Sequence, residues 1–408
     1  MAATAVPLRD VLAVSGVRRL LGSSLVARLP MAAVGLLVLL RTRELGGSYA
    51  LGGLATGALA AAMATAAPAL GRLVDRRGQR AVLVPSAIVA SAALCGLALL
   101  PGGTPGAAIV ALAAVAGLSH PPLSACARAL WPRLLPDARR RHAAFALESA
   151  LLEVTYLAGP LVLVGALATR SAALALGVSA AILLAGTAVF ASHPATRAPG
   201  SARAAGTPRG VALRVPAVRT VLAVQAALGC SFAALEVAVT AFAADHGAPS
   251  ATGPLLAAWG AGSLAGGLVA ARSGAPRDPA GRLAALLAAM AVADAALLAA
   301  GGLGLLALGA GLLVAGAAIA PAFALVGGIL GDAAPAGAVT ESQAWLSTGI
   351  AVGLAAGSAL AGALVDGGGP LGAFALAALG ATVAAVVTAA RAATLAPPAA
   401  TPVAATTP

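Results

Sequence analysis

Twelve long apolar stretches, with arginines concentrated in alternate segments between them, constrain what this chain can fold into. The sequence has 408 residues, of which 60% are hydrophobic and only 9% are charged. Soluble domains carry about 25% charged residues, so this chain has too little polar surface to cover a water-soluble core. A membrane-spanning helix needs about 20 mostly apolar residues, and its backbone must satisfy its own hydrogen bonds in lipid. The pattern therefore predicts an all-α polytopic membrane protein.

The predicted spans fall into two groups of six around a central linker. Residues 192–218 are rich in Pro, Gly, Ser and Arg without periodicity, which predicts a flexible linker. We expect six-helix bundles at 1–191 and 219–391, followed by a disordered cytoplasmic tail at 392–408. The predicted spans are 20–41, 49–70, 81–100, 107–130, 145–167, 171–191, 219–243, 252–271, 283–300, 303–326, 343–365 and 371–390.

A weak internal repeat relates the two groups of spans. Arg72 and Arg272, and likewise Pro121 and Pro321, are separated by 200 residues and fall at equivalent points of equivalent spans. Such a repeat favours two pseudo-symmetric bundles with a pathway between them.

Arginine placement predicts how the chain is oriented. All 25 basic residues are arginine. Most of these arginines lie between the apolar stretches and not within them. Loops on the cytoplasmic side of a membrane are enriched in basic residues, so we expect a bacterial plasma-membrane protein with both termini in the cytoplasm. The side rich in arginine holds Arg9, Arg18, Arg19, Arg72, Arg76, Arg77, Arg80, Arg133, Arg139, Arg140, Arg141, Arg197, Arg203, Arg209, Arg214, Arg219, Arg272, Arg277 and Arg282, and the other side holds Arg41, Arg43 and Arg170. No aromatic platform accompanies these arginines, which excludes nucleic-acid binding.

The loop Gly71–Arg80 carries the most specific motif. Its pattern G-x-L-x-D-R-x-G-x-R resembles the signature loop between the second and third spans of the major facilitator superfamily of secondary transporters. The matching residues are Gly71, Leu73, Asp75, Arg76, Gly78 and Arg80, whereas Gln79 replaces the usual basic residue. The resemblance covers nearly the whole chain and implies twelve transmembrane helices in two six-helix bundles.

The resemblance also implies a role for this loop. In the superfamily the signature acid, here Asp75, faces the N-terminus of span 11, where the helix dipole favours a negative charge. By that analogy Asp75, Arg76 and Arg80, with Gly71 and Gly78, form a cytoplasmic gate. Glu341, at the start of span 11, is the expected opposing group and is expected to pair with Arg80. The sequence Gly159-Pro160 in span 5 resembles the core of the motif of drug/proton antiporters, although Leu163 and Val164 replace the glycines expected there.

Charged groups within spans are candidates for function because burying them in lipid costs several kcal/mol. Arg28 precedes Pro30 in span 1, and Glu153 lies at a similar depth in span 5. One interpretation places Arg28 at a central cavity, with Glu153 as its counter-charge or as a proton carrier. The other is a static structural ion pair.

Three further groups have two interpretations each. Arg128 in span 4 and Glu148 in span 5 lie at matching depth across a hairpin, which indicates a structural or gate ion pair rather than a substrate contact. Glu236 in span 7 is either a site for a cationic substrate or a proton, or a solvated acid in a vestibule. His120, before Pro121-Pro122, is either a proton relay or a hydrogen-bonding residue at a kink.

These residues predict a proton-coupled secondary transporter that exports a small amphipathic molecule by alternating access. An importer of a sugar or metabolite is the main alternative, and a polytopic membrane enzyme or a non-transporting sensor is a remote one. The chain has neither lysine nor a phosphate-binding loop, so ATP hydrolysis by it is excluded. Its three cysteines are isolated, and neither a metal site nor a cofactor is expected. We expect a monomer whose partners are the substrate, protons and lipid, and which is not an enzyme.

Overall fold

Helices form most of this chain in a computed structural model that describes residues 8–47, 49–168, 170–198, 211–248, 251–300, 304–335 and 337–395. No strand occurs within these ranges. The side chains of Glu153 and Pro160 lie outside the described residues. The all-α architecture predicted from the sequence is confirmed.

The N-terminal half contains nine helices in its described residues. They are α1 (Leu8–Leu12), α2 (Val17–Arg28), α3 (Val34–Glu44), α4 (Tyr49–Arg77), α5 (Gln79–Leu99), α6 (Gly106–Leu118), α7 (Leu123–Leu134), α8 (Ala138–Gly159) and α9 (Ala172–Ala191). A 3-10 helix, Leu29–Ala32, lies between α2 and α3, and a π-helix, Pro160–Ala168, continues α8.

A second 3-10 helix, Pro194–Arg197, follows α9 and leads towards the C-terminal half. The described helices of that half are α10 (Val211–Arg214), α11 (Pro216–Asp245), α12 (Thr252–Arg272), α13 (Pro279–Ala300), α14 (Leu305–Gly316), α15 (Ile319–Ala333), α16 (Val339–Gly368), α17 (Pro370–Ala390) and α18 (Ala392–Leu395).

Length and composition identify the segments that can cross a membrane. Ten helical segments of the described chain qualify, or up to eleven if the bent pair Val17–Ala32 and Val34–Glu44 forms one span. The predicted fifth span, 145–167, is also helical, through α8 and the π-helix. It carries Glu148 and Glu153 and begins after three consecutive arginines, which lowers its hydropathy. The polytopic membrane fold is therefore confirmed.

Proline explains the two broken spans of the N-terminal half. Pro30 lies in the 3-10 helix at which span 1 bends by 41°. Pro121 and Pro122 separate α6 from α7 in span 4. Proline lacks a backbone N–H and its ring clashes with the preceding turn, so a helix interrupts at these positions.

Apolar cores are buried in both halves, and the largest one, centred on the N-terminal half, also includes Ala271 and Ala324. The N-terminal core contains the fully buried residues Leu20, Leu83 and Phe190, and the C-terminal half buries Leu287 and Phe374. Glycine pairs let helices approach closely in lipid. Gly353 and Gly357, one turn apart on α16, lie directly against the backbone of α11.

The segments outside the spans differ from the predictions in two places. The predicted loop 71–80 is mostly helical, because α4 continues to Arg77 and α5 begins at Gln79. The predicted linker 192–218 includes helical turns at Pro194–Arg197 and Val211–Arg214, and its residues 199–210 are outside the described chain. The predicted tail begins with α18, and residues 396–408 are likewise outside the described chain.

The two halves meet at the end of the molecule where α4, α12 and α15 finish and where α8 and α16 begin. We call this the arginine-rich end, since the loops there carry most of the arginines. Spans 5 and 8 meet where a Cβ on Gly267 would lie 2.7 Å from the Ala150 Cβ. Spans 5 and 10 meet where Phe145 packs on Gly327, and Arg141 pairs with Asp332 at 3.1 Å.

Candidate functional site

Asp75, near the end of α4, caps the first turn of α16. Its two carboxylate oxygens accept hydrogen bonds from the backbone N–H groups of Thr340 at 3.0 Å and Glu341 at 2.9 Å. The first N–H groups of a helix have no partner within the helix, and the helix dipole attracts an anion to that end. Asp75 therefore joins the two halves through a charge-assisted contact at the arginine-rich end.

Two glycines of the motif are required by the geometry of this contact. A Cβ on Gly71 would lie 2.9 Å from the Glu341 Cα and 3.0 Å from the Thr340 carbonyl oxygen, so α4 and α16 approach this closely only without a side chain there. Gly78 has φ of +88°, a conformation that favours glycine, and it turns the chain from α4 into α5. The glycines thus fix where Asp75 stands.

Glu341 pairs with Arg72 rather than with Arg80, the partner expected from the sequence. The Arg72 Nε atom lies 3.3 Å from Glu341 Oε1, and the Glu341 side chain is only 2% exposed. Arg72 precedes Asp75 by almost one helical turn, and α4 remains helical here, so Arg72 and Asp75 both face α16. Arg76 and Arg80 are exposed at the same end of the molecule.

A further contact extends the joint between α4 and α16 towards the middle of the helices. The Thr348 hydroxyl donates to the Ala64 carbonyl oxygen at 2.8 Å. Further along, α4 and α16 each make contacts within their own half. Gly52 of α4 lies against Leu39, and α16 lies against α11 through the glycine pair described above.

A buried ionic cluster joins spans 1, 4 and 5 close to the same end. Glu148 Oε1 lies 3.2 Å from Arg28 Nη1 and 3.8 Å from Arg128 Nε. Glu148 Oε2 accepts a hydrogen bond from Trp131 Nε1 at 2.6 Å. Arg28 also donates to the Ser124 hydroxyl at 3.0 Å.

The cluster contains two guanidinium groups and one carboxylate among its described residues. Arg28 and Glu148 are each 1% exposed, and Arg128 is 6% exposed. Breaking a buried ion pair from one side costs about 3–5 kcal/mol, because a charge remains without its partner. The cluster also borders the other half, since the Cβ position of Gly327 lies 3.6 Å from Arg128 Nη1.

The structure thus places three predicted residues, Arg28, Arg128 and Glu148, in one cluster. The partner of Arg28 differs from the one expected. The sequence proposed Glu153 as the counter-charge of Arg28, but Arg28 pairs with Glu148. Glu153 lies on the same helix, and its side chain is outside the described residues. Arg128 and Glu148 face each other as predicted, at the longer distance of the two pairs.

The remaining candidates lie apart from this cluster. Glu236 is exposed on α11. His120 lies in the break between α6 and α7, where its backbone N–H bonds to the Gly117 carbonyl oxygen at 3.1 Å. Gly159 ends α8, and a Cβ there would lie 2.6 Å from the Leu29 carbonyl oxygen, so Gly159 allows span 5 to pack on the bend of span 1. Pro160 begins the π-helix.

Sequence reasoning did not identify Arg72, Trp131 or Ser124 as members of these sites. Helical spacing supplies a signal for two of them. Trp131 follows Arg128 by three residues and therefore shares its helix face, and Arg72 precedes Asp75 by the same interval. Ser124 shows no comparable signal, because its contact depends on how span 1 crosses span 4.

The described residues contain no group of three or more His, Cys, Asp or Glu side chains that could hold a metal ion. The charged sites described above are a contact between α4 and α16 and a buried ionic cluster.

Comparisons with known proteins agree with this architecture. The chain matches the family model described as Major Facilitator Superfamily over residues 20–313. No curated protein sequence matches the chain.

Solved structures of transporters resemble the chain over almost its full length. The human organic anion transporter MFSD10 (TETRAN) has a TM-score of 0.71 at 18% identity, covering 91% of this chain and 98% of that one. A bacterial homologue of the iron transporter ferroportin, in its outward-facing state, has a TM-score of 0.75 at 12% identity, covering 92% and 99%. The Escherichia coli fucose:proton symporter has a TM-score of 0.70 at 14% identity, covering 92% and 98%. At these identities the likeness shows the shared fold alone.

Proposed function

Since the chain belongs to the Major Facilitator Superfamily, we propose that it is a secondary transporter that exports a small amphipathic molecule in exchange for protons. The solved relatives transport substrates as different as organic anions, iron and fucose, by their names. They therefore support transport as the function and leave the substrate to be argued from this chain. Its role is not enzymatic, and it acts as a monomer in the bacterial plasma membrane.

The one-sided contact between the halves carries this proposal. The joint of Asp75 with α16 closes the arginine-rich end, and the contacts of α8 with α12 and α15 lie at that end too. Basic loops face the cytoplasm, so the closed end is cytoplasmic in our proposal, both termini lie in the cytoplasm, and the pathway is open to the outside. Alternating access then requires that the Asp75 contact breaks when the halves rock to the opposite state.

Two acids are the proposed proton carriers. Glu236 is exposed on the second half of α11, and in this proposal it faces the pathway at the open end, where water and protons would reach it. Glu153 lies on α8, five residues after Glu148 of the buried cluster, and this spacing puts the two positions on different faces of the helix. The scarcity of aromatic residues, 3% of the chain, argues against stacking of sugars and against an aromatic cage for bulky cations, which favours a small amphipathic substrate.

Flux through proteoliposomes tests the function. Candidate amphipathic compounds are first ranked by how far each raises the melting temperature of the purified chain, because a ligand stabilises by mass action. The ranked compounds are then followed across the liposome membrane under an imposed proton gradient. We expect gradient-driven accumulation against the compound's own gradient. Downhill movement at a rate independent of the proton gradient would contradict proton coupling. If no stabilising compound crosses the membrane, a non-transporting sensor would be favoured.

Acid variants identify the carrier. Glu236→Gln and Glu153→Gln are compared with Asp245→Asn, which removes an exposed acid at the end of the same helix as Glu236. A carrier variant loses gradient-driven transport and keeps substrate exchange, whereas the Asp245 variant keeps both. Full coupling in both glutamate variants would remove these residues as carriers. Gradient-driven uptake into the cytoplasmic side would establish the importer instead.

A further inference from the structure

A groove at the arginine-rich end lies between the junction of α4 with α5 and the 3-10 helix that follows α9. Its volume is about 560 Å³, and its charged lining groups are the guanidinium groups of Arg77, Arg80 and Arg197. Val84 and Pro85 of α5 supply apolar lining. No acidic residue is among the described lining residues. We call this the basic groove.

A glycine turn shapes one wall of the basic groove, and local hydrogen bonds hold the other. Gly78 makes the sharp turn between Arg77 and α5. In the other wall, the buried Thr196 hydroxyl donates to the carbonyl oxygens of Ala191 at 2.8 Å and His193 at 2.7 Å. Burial lowers the pKa of His193, and the charge of Arg19 lowers it further. The neutral imidazole accepts the Ala195 N–H at 3.2 Å, so Arg197 projects from a fixed turn.

The charge of the basic groove has no acidic counterpart within the part of the chain that the structure describes. Among the described residues, no ion pair involves Arg77, Arg80 or Arg197. Asp75, the acid of the adjoining motif, is engaged by α16. The segment 192–218, which contributes Arg197 to the groove, contains no Asp or Glu. Three clustered guanidinium groups without an acid favour an anionic ligand from outside the chain.

An apolar stripe leads from the basic groove along the outer face of α5. The exposed residues Ala81, Pro85 and Ile88 recur at helical spacing and continue towards Leu99, which is 82% exposed. The opposite face of α5 packs against α6 and α9 within its own half. In a membrane this exposed stripe therefore faces lipid acyl chains.

We propose that the basic groove binds the phosphate of an acidic phospholipid, with an acyl chain lying along the α5 stripe. Guanidinium groups bind phosphate oxygens by paired, charge-assisted hydrogen bonds. A zwitterionic headgroup would bring its own cation among three arginines, so a net negative headgroup fits better. A free phosphate would leave the adjoining apolar stripe unused. The site is separate from the substrate pathway, and its test does not depend on transport.

The test measures lipid binding to the purified full-length chain in a neutral detergent. Dioleoylphosphatidylglycerol is titrated, and bound lipid is counted by native mass spectrometry. Dioleoylphosphatidylcholine has the same chains without the net charge, and glycerophosphoglycerol and inorganic phosphate have the charge without the chains. We expect the phosphatidylglycerol to bind with clear preference over all three.

Matched variants locate the site. Arg77→Gln, Arg80→Gln and Arg197→Gln together remove the groove charges, and Arg139→Gln, Arg272→Gln and Arg282→Gln together remove exposed charges from other loops at the same end. A basic residue near an acidic lipid surface changes affinity about fivefold, so we expect that factor for each groove arginine. The control set should keep nearly the affinity of the original chain. If the triple groove variant fails to fold, Arg197→Gln alone, on the exposed turn, should weaken binding by the same single factor.

Several results would overturn the proposal. Equal losses in the groove set and the control set would mean that binding follows total charge and not this groove. Equal binding of phosphatidylcholine would exclude selection for an acidic headgroup. Complete competition by phosphate at the lipid's own concentration would identify a free-anion site. Ile88→Gln further distinguishes a lipid site from a free-anion site. In a lipid site this change should weaken the binding of phosphatidylglycerol and leave the binding of glycerophosphoglycerol unaffected.

Discussion

The carboxylate of Asp75 accepts the backbone N–H of Glu341 at 2.9 Å, across the boundary between the two halves of the molecule. These residues are 266 positions apart, so the contact exists only when the halves are together at the arginine-rich end. One oxygen of a single carboxylate bonds Glu341 while the other bonds Thr340. Closure of this end is thus tied to a fixed charge that meets a helix terminus.

Removing that charge should favour opening of the arginine-rich end. In Asp75→Asn the amide keeps one acceptor and loses the interaction with the helix dipole, which is worth about 0.3–2 kcal/mol. Spin labels at positions 139 and 219, one in each half and both exposed, report the separation of the halves at this end. We expect the short-distance population to decrease by several-fold in a cysteine-free background.

Asp278→Asn is the matched control for that experiment. Asp278 lies at the same end, and its carboxylate accepts the N–H of Gly281 at 2.9 Å within its own half. This variant should leave the distance distribution unchanged. An unchanged distribution in Asp75→Asn would refute the assignment of Asp75 to closure, and a change in both variants would assign the effect to surface charge.

A single methyl group on Gly71 should also disturb closure. A Cβ at Gly71 would lie 2.9 Å from the Glu341 Cα, whereas a Cβ at Gly57, on the same helix, meets nothing within 4 Å. Both Gly→Ala changes gain about 1 kcal/mol of helix propensity, but overpacking costs about 1–3 kcal/mol at Gly71 alone. We expect Gly71→Ala to lengthen the distance between the labels and Gly57→Ala to leave it unchanged. Equal distances in the two variants would show that α4 and α16 tolerate more space than the structure indicates.

The sequence was sufficient for the all-α architecture and for the contact of Asp75 with the start of span 11. Apolar lengths predicted the helices, and the match to the signature loop implied that Asp75 faces the start of span 11, where the structure places it. The loop predicted at 71–80 is too long, because hydropathy shows where a segment leaves the lipid and does not show where its helical hydrogen bonding ends. Gly78 is the residue at which the helix stops.

The partners of the charged groups were harder to predict, because they depend on the rotation of each helix about its axis. A rotation of about 100° separates neighbouring residues of a helix, so depth alone does not distinguish Arg72 from Arg76, or Glu148 from Glu153. Matching the depths of the residues correctly predicted that Arg28 faces span 5. It selected Glu153 as the partner, whereas Arg28 pairs with Glu148. Contacts between distant segments, such as that of Gly159 with the Leu29 carbonyl oxygen, accompany this rotation and are not visible in the sequence.

The pairing of Glu341 can be tested by comparing two arginines of the motif. Arg72→Gln leaves the buried Glu341 carboxylate without its ion pair, which should destabilise the chain by about 1–3 kcal/mol. Arg80→Gln, at an exposed position, should change stability by less than about 0.5 kcal/mol. Melting temperatures in neutral detergent without acidic lipid measure both. Adding Glu341→Gln to Arg72→Gln should recover part of the loss, and a larger loss in Arg80→Gln would reassign the pair.

The buried cluster should respond to changes as a unit. Glu148→Gln leaves the guanidinium groups of Arg28 and Arg128 facing each other in a site with little solvent, so we expect a loss of about 3–5 kcal/mol. Adding Arg128→Gln should reduce that loss, because one of the two unpaired cations is removed. Asp137→Asn, which breaks a pair of half-exposed side chains at 4.0 Å, should cost less than about 1 kcal/mol. Thermal unfolding of these three variants and of Arg128→Gln alone forms the test. Additive losses in the double variant would mean that Glu148 and Arg128 do not interact, and the cluster would then reduce to the Arg28–Glu148 pair.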